Sequence, residues 1–350
     1  MNEATNTKGL LERLDEGPVI CAEGYLFEFE RRGYLQAGAF VPEIVLEHPD
    51  LVEQIHREFV HAGSDVVEAF TYYGHRAKLR IVGKEHLLEP LNRDALRIAS
   101  TVARETGTLA AGNLCNTNAF FPDEEGRAKV RAMFEEQVEW IVDAGMDFVI
   151  GETFSYAEEA LIALNVIRQA ELPSVMTLAI HRAPEVREGW APDVACRKLE
   201  EAGADVVGLN CIRGPRTLLP LIKEVRAAVD CHVAALPVPY RTSEAEPSFQ
   251  SLTDDDCGCE LPGGRPFPTA LDPFTCNRYE IGEFATEALE AGVRYMGVCC
   301  GNGAHHTRSM AEALGRTPPA SRYTADMSKH SFLGDNEQLK EHNKAYATEL

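Results

Sequence analysis

One pattern recurs along this chain and limits its fold more than any other feature. Ala62-Gly63-Ser64-Asp65-Val66-Val67, Ala144-Gly145-Met146-Asp147-Phe148-Val149, Ala202-Gly203-Ala204-Asp205-Val206-Val207 and Ala291-Gly292-Val293-Arg294-Tyr295-Met296 each end an amphipathic stretch with Ala-Gly and then enter an apolar run. Glycine is the commonest helix stop because it takes a left-handed backbone at little cost. Strands of a parallel sheet are buried on both faces and so read as continuous apolar runs. Further apolar runs lie between the copies, at Pro18 to Cys21, Thr108 to Ala111, Ser174 to Ile180 and His232 to Val238. Strands are therefore expected near 18–22, 66–71, 108–113, 147–152, 174–180, 205–210, 232–238 and 294–299. Helices are expected over 50–62, 91–106, 126–144, 156–170, 191–202, 215–229 and 280–291. Strands alternating with helices in this way predict a closed (β/α)8 TIM barrel. An open doubly wound sheet is the alternative, but no glycine-rich dinucleotide fingerprint follows the first run.

A chain of 350 residues fits this architecture as one barrel, expected over 1–316, with a polar C-terminal extension over 317–350. The extension is read as an oligomerisation arm of a homo-oligomer, with a short charged helix near Asn336 to Ala347. A long insertion at 239–278, rich in Pro, Gly, Ser and Asp (Asp254-Asp255-Asp256, Pro262-Gly263-Gly264), separates the seventh strand from its helix. Loops of that length serve as lids, binding loops or partner contacts. The net charge of −21 repels nucleic acid and anionic membranes, which excludes both as partners. No apolar run reaches membrane-spanning length, and Met1 to Gly17 has no signal-peptide core, so a cytoplasmic protein is expected. In that compartment the ten cysteines are mostly reduced, and metal or catalytic use outranks a disulfide framework.

A barrel of this kind carries its chemistry where strands end and the following loops begin. The residues there are Glu23 and Gly24, Tyr72 and Tyr73, Asn113, Asn116 and Asn118, Glu152, His181, Cys211, Pro239 and Tyr240, and Cys299 with Cys300. A cysteine is most often a small buried hydrophobe, the reading kept for Cys21, Cys115, Cys196, Cys231 and Cys276. Cys211, Cys299 and Cys300 differ, since they close two strands beside glycine, and a thiolate trio with one open position suits a catalytic zinc. Successive residues of a regular strand point to opposite faces, so a vicinal pair converges only if the backbone leaves strand geometry. Gly301 permits that. Cys257-Gly258-Cys259 in the long loop is a rival ligand set or a redox pair. His181, His305 and His306 are read as ordinary polar residues.

These motifs carry a resemblance. Gly208-Leu209-Asn210-Cys211 with Gly297-Val298-Cys299-Cys300-Gly301 resembles the homocysteine methyltransferase family. So do Arg32-Gly33-Tyr34, Pro42-Glu43, Glu47-His48-Pro49, His56-Arg57-Glu58-Phe59, Ala62-Gly63-Ser64, Phe70-Thr71-Tyr72-Tyr73 and Gly292-Val293-Arg294-Tyr295, which point to its betaine-type branch. The resemblance runs from about residue 15 to 315. It implies a methyltransferase of methionine formation, with Zn2+ held by Cys211, Cys299 and Cys300 and the homocysteine sulfur in the open position. It implies Glu152 on the substrate amino group, Gly24 offering a backbone N–H to the substrate carboxylate, and Tyr73 filling the open position when substrate is absent. Without the resemblance, Tyr72 and Tyr73 are barrel-rim aromatics. Where the branch has Asp-Gly-Gly, this chain has Ala22-Glu23-Gly24, and Glu23 is expected to replace the aspartate from one position along.

The donor pocket departs further. Phe40 stands where the family cage has Trp, and Thr153 where it has Tyr, with Trp190 as a possible compensation. Aromatic faces such as Tyr72 and Phe40 suit an onium cation. A betaine-like quaternary ammonium is the leading donor, and a sulfonium such as dimethylsulfoniopropionate or S-methylmethionine is the alternative. From a different class, a barrel zinc hydrolase or lyase would place water in the open position. Such sites favour neutral ligands that leave zinc acidic, whereas thiolates favour thiol activation. A non-catalytic barrel with a redox Cys299–Cys300 pair is the remaining reading.

Overall fold

The computed structural model describes residues 8–259 and 264–348. Pro262 and Gly263 of the long insertion lie outside the described residues. Eight parallel strands close into a barrel in sequence order: β1 (Val19–Ala22), β2 (Val66–Glu68), β3 (Leu109–Cys115), β4 (Phe148–Phe154), β5 (Ser174–Leu178), β6 (Val206–Asn210), β7 (His232–Leu236) and β8 (Tyr295–Val298). β1 pairs with β8 in register from Val19 opposite Tyr295 to Ala22 opposite Val298, which completes the closure. The (β/α)8 expectation is met, and helices wrap the outside over Pro49–Ala62, Leu88–Thr106, Glu124–Asp143, Ala157–Gln169, Pro192–Glu201, Pro215–Ala228, Arg278–Glu290 and Ala304–Ala313.

Alternation within each strand divides the core in two. Val19, Cys21, Val66, Leu109, Ala111, Phe148, Ile150, Val175, Val206, Ala234, Leu236 and Tyr295 form one buried cluster, the packed barrel interior. Leu10 and Leu14, from the helix Leu10–Glu16, join it from below and plug the floor. The alternate strand residues, among them Ile20, Val67, Val149, Met176, Val207 and Met296, pack outward against the helices. Each large side chain buried this way contributes about 1.5–3 kcal/mol.

Five strands end two or more residues from expectation at the C-terminal rim: β3 and β4 run longer, to Cys115 and Phe154, and β2, β5 and β7 stop earlier, at Glu68, Leu178 and Leu236. β2 stops at Glu68 because the chain turns sharply, with Thr71 N–H donating to the Ala69 carbonyl and Gly74 N–H to that of Thr71. β4 runs on to Phe154, with an irregularity against β5 between Gly151 and Phe154. The short helix Tyr25–Arg31 was not foreseen; its span is too brief for a periodic pattern, yet it buries Tyr25, Leu26, Phe27 and Phe29. On the floor, Arg316 reaches the Asp65 carboxylate and the Pro18 carbonyl. Beyond it the extension forms short helical pieces at Pro319–Tyr323, Met327–Lys329, Glu337–His342 and Lys344–Ala347. Among the described residues, no helix is long and apolar enough to cross a membrane.

Candidate active site

The inward row of each strand continues one step above the packed interior, and there it changes from apolar to polar. Following the same alternation, Cys21 leads to Glu23, Val66 to Glu68, Ala111 to Asn113, Ile150 to Glu152, and Val206, past Gly208, to Asn210. All five are buried. Asn113 Nδ2 donates to Glu68 Oε1 at 2.6 Å and to Glu152 Oε1 at 2.7 Å. Asn210 Nδ2 donates to Glu152 Oε2 at 2.9 Å, and Thr153 Oγ1 donates to the same oxygen at 3.1 Å. Glu152 is thus held from two sides. Glu23 is not: both its carboxylate oxygens are buried without a hydrogen-bond partner among the described residues.

Burial dominates the electrostatics of this group. It pushes the Glu23 and Glu68 carboxyls well above the usual carboxylate range, and the neighbouring Glu152 charge pushes both further. Burial also lifts Glu152, to about 7, opposed by the bonds from Asn113, Thr153 and Asn210. Glu152 accepts hydrogen bonds on both carboxylate oxygens, which favours its charged form. Glu68 is a site residue that the motifs did not single out. Strand parity would have found it, since it shares a face with Val66.

The thiols meet at the rim beside this group. β6 ends at Asn210, and the next residues, Cys211 and Ile212, adopt left-handed φ of 56° and 57°. That turn swings Cys211 off the strand direction, and its N–H donates to the Leu236 carbonyl at 2.8 Å. Cys299 N–H donates to the Pro237 carbonyl at 2.8 Å as β8 ends. Gly301, at φ 97°, continues the turn that lets the vicinal pair converge. The Sγ atoms of Cys211, Cys299 and Cys300 all lie within 4.8 Å of one another. Gly24, also left-handed at φ 79°, packs its backbone against the Cys299–Cys300 peptide so closely that no Cβ fits.

The donor set suits a thiophilic divalent ion. Contacts among the three sulfurs hold the Cys211 thiol well below its usual pKa and raise those of Cys299 and Cys300, because neighbouring thiolates repel one another. A divalent ion within reach of all three sulfurs relieves that mutual repulsion and lets every one ionise. Asn210 Nδ2, at 3.9 Å from Cys299 Sγ, links the thiols to the carboxylate network.

Aromatic side chains surround the thiols. A cavity is lined by Glu68, Phe70, Tyr72, Asn113, Glu152, Cys299 and Cys300, with Gly24 and Tyr25 on one wall. Tyr73, at φ 60°, lies beside Tyr72 with ring centroids 4.4 Å apart and the ring planes tilted by 45°, and its hydroxyl accepts from Asn118 Nδ2 at 3.4 Å. Lys78 Nζ already covers the Tyr73 ring at 4.7 Å. Phe40 packs on Phe27 at 5.9 Å, and Phe27 meets Phe249 at 6.1 Å and Phe267 at 6.4 Å. Phe27, Phe249, Ile212, Cys211 and Cys299 belong to one buried cluster, so the long loop folds onto the thiol edge. Phe249 and Phe267 gave no sign of this in the sequence, because loops have no periodicity to read.

Other expected residues are placed elsewhere. Thr153 is committed to Glu152 and Asn210 rather than forming a wall. Trp190 has Lys198 Nζ over its ring at 4.7 Å, so that face is taken. His306 Nδ1 accepts from Gly303 N–H, and its Nε2 lies 3.1 Å from the Cys276 carbonyl, a structural role. His181 pairs with Ser155 at 2.9 Å. Cys257 and Cys259 are joined to each other as a disulfide and stand apart from the trio.

Comparison with known proteins follows the same lines. The family profile described as homocysteine S-methyltransferase matches residues 24–314. Betaine–homocysteine S-methyltransferase 1 of Xenopus tropicalis is 35% identical over 97% of this chain and 82% of its own length. S-methylmethionine–homocysteine S-methyltransferase BHMT2 of Pongo abelii is 34% identical over 90% and 84%. Among solved structures, the metallated form of the homocysteine methyltransferase MmuM from Escherichia coli shares the fold, with a TM-score of 0.66 at 16% identity, covering 85% of this chain and 97% of that one.

Proposed function

The chain belongs to the homocysteine S-methyltransferase family, and from that premise we propose that it transfers a methyl group from a small betaine-like onium donor to the thiol of homocysteine, with Cys211, Cys299 and Cys300 as ligands of a zinc ion. The observation that carries this reading is the convergence of the three Sγ atoms within 4.8 Å beside a buried carboxylate network. Zinc bound there would keep the homocysteine sulfur as a thiolate at neutral pH, the form that acts as nucleophile.

The chain's own residues account for the rest. Glu152, fixed by Asn113, Asn210 and Thr153, is the partner for the substrate ammonium. Glu23 lies within the same group and offers a second carboxyl, while Gly24 supplies backbone at the Cys299–Cys300 peptide. Tyr72 lines the cavity, Tyr73 stands beside it at the rim, and Phe40 extends the wall through Phe27. Aromatic faces attract an onium cation and exclude water. As the new sulfur–carbon bond forms, the donor's carbon–nitrogen bond breaks and the leaving amine departs neutral, so no general acid is needed. The 317–350 extension, which exposes Tyr323, Leu333 and Tyr346, we assign to self-association.

The test combines metal analysis with a donor panel. Reduced protein is expected to hold about one zinc per chain. It is expected to methylate homocysteine from glycine betaine, with dimethylsulfoniopropionate and S-methylmethionine as comparators. Cys211→Ala is expected to lose both zinc and activity. Inactivity with every onium donor, or full activity in Cys211→Ala, would sink the reading.

A further inference from the structure

Behind the vicinal cysteines a second set of contacts joins segments far apart in sequence. Arg31, the last residue of the helix that follows β1, donates from Nη2 to Tyr240 Oη at 2.9 Å and from Nη1 to the Gly301 carbonyl at 3.3 Å. Its Nε lies 4.0 Å from Asp272 Oδ1. Tyr240 is fully buried, and a buried phenol needs a partner for its hydroxyl. Arg31 supplies that partner. Gly301 is pressed against the Tyr240 ring and hydroxyl so tightly that a Cβ there would overlap them.

Tyr240 and Asp272 belong to opposite feet of the long loop. Those feet are tied together: Tyr240 bridges Thr275, Arg241 N–H donates to the Phe274 carbonyl at 2.7 Å, and Cys276 N–H donates to the Pro239 carbonyl at 2.8 Å. One guanidinium therefore touches both feet of the loop and the residue directly after Cys300. The Asp272 contact is long and its carboxylate largely exposed, so it adds little. The contacts that matter are those to Tyr240 and Gly301.

We propose that Arg31 and Tyr240 are positioning residues for the thiol centre: together they fix the Gly301 turn, hold Cys299 and Cys300 in the converging geometry, and couple that geometry to the loop over the site. The inference rests on the zinc reading above. It follows from how metal sites are built, because groups that orient the ligands typically govern affinity by 10–100-fold without touching the ion. Vicinal cysteines depend on such support more than ligands on a regular strand, since their convergence requires a backbone turn.

Zinc affinity, measured by competition with a chromophoric chelator, tests the proposal in Tyr240→Phe, Arg31→Met and Arg31→Lys. Cobalt-substituted protein supplies the thiolate-to-metal charge-transfer spectrum as a second readout. Tyr240→Phe and Arg31→Met are expected to bind zinc roughly 10–100-fold more weakly and to alter the cobalt spectrum. Arg31→Lys, which keeps the charge and one donor, is expected to recover part of the loss. Tyr240→Phe removes a single hydroxyl, so it decides the matter if Arg31→Met does not fold. Zinc affinities within about twofold of the parent in both variants, with an unchanged cobalt spectrum, would overturn the positioning role alone. A parent chain that binds no zinc would instead overturn the metal reading and this inference with it.

Discussion

His56 sits edge-on to Tyr25 with ring centroids 4.9 Å apart, 1% exposed, and neither ring nitrogen has a partner among the described residues. Burial alone depresses its pKa from 6.5 to about 3. The imidazole is neutral in the folded chain, so the sign follows directly. Its contribution to stability is fully present above pH 6.5, its ordinary value, and is lost as pH falls toward about 3. In His56→Phe, unfolding free energy measured by denaturant titration is expected to fall less steeply with acid than in the parent. The difference should approach about 1 kcal/mol per pH unit below about pH 6. Parallel pH profiles would remove His56 as the cause. At this scale the sequence was most informative where residue type is rare in its setting. Cysteines beside glycine at strand ends were legible, and so was Glu152. Glu68 was hidden by its apolar neighbours Val66, Val67, Ala69 and Phe70, and Phe249 by the lack of any pattern in the loop.

Each repeated Ala-Gly motif does more than stop a helix. Asp65 Oδ2 accepts from Ile20 N–H at 2.8 Å, Asp147 Oδ2 from Ala110 N–H at 2.7 Å, and Asp205 Oδ2 from Ser174 N–H at 2.8 Å. The aspartate before β2, β4 or β6 thus clips the start of the strand that precedes it, β1, β3 or β5. Asp205 adds a bond from Ser174 Oγ at 3.1 Å. The copy before β8 has Arg294 in that place and joins its neighbours by backbone alone, with Val19 N–H donating to the Arg294 carbonyl at 2.7 Å. Charge-assisted bonds of this kind are worth about 1.5–3 kcal/mol. Asp205→Ala is expected to destabilise the barrel by about that amount, read as a lower denaturant midpoint, while zinc binding at the opposite rim is unchanged. A midpoint equal to the parent's would show the clip to be idle. The repeat itself was plain in the sequence. Its partner strand was not, because a clip between strands is a contact in space rather than a spacing along the chain.

At the scale of the molecule, closure and strand order followed from the alternation of apolar runs and helices, and the structure bears them out. Short elements escaped, the helix Tyr25–Arg31 above all, because periodicity needs length to show itself. The assignment of the extension to self-association makes a simple expectation. A chain ending at Arg316 should run as a smaller assembly than the full chain in light scattering, with its far-ultraviolet circular dichroism still that of an α/β barrel. An unchanged assembly size would remove the role.

The bond network around Arg316 has a consequence for architecture. By joining Pro18 and Asp65, it brings the entry to the barrel and the exit from it side by side on the floor, opposite the thiol rim. Any module fused ahead of Pro18 or behind Arg316 would attach at that floor. The mouth above the cysteines lies at the other end of the barrel, so a module joined at either of those two points would be attached away from the thiol centre.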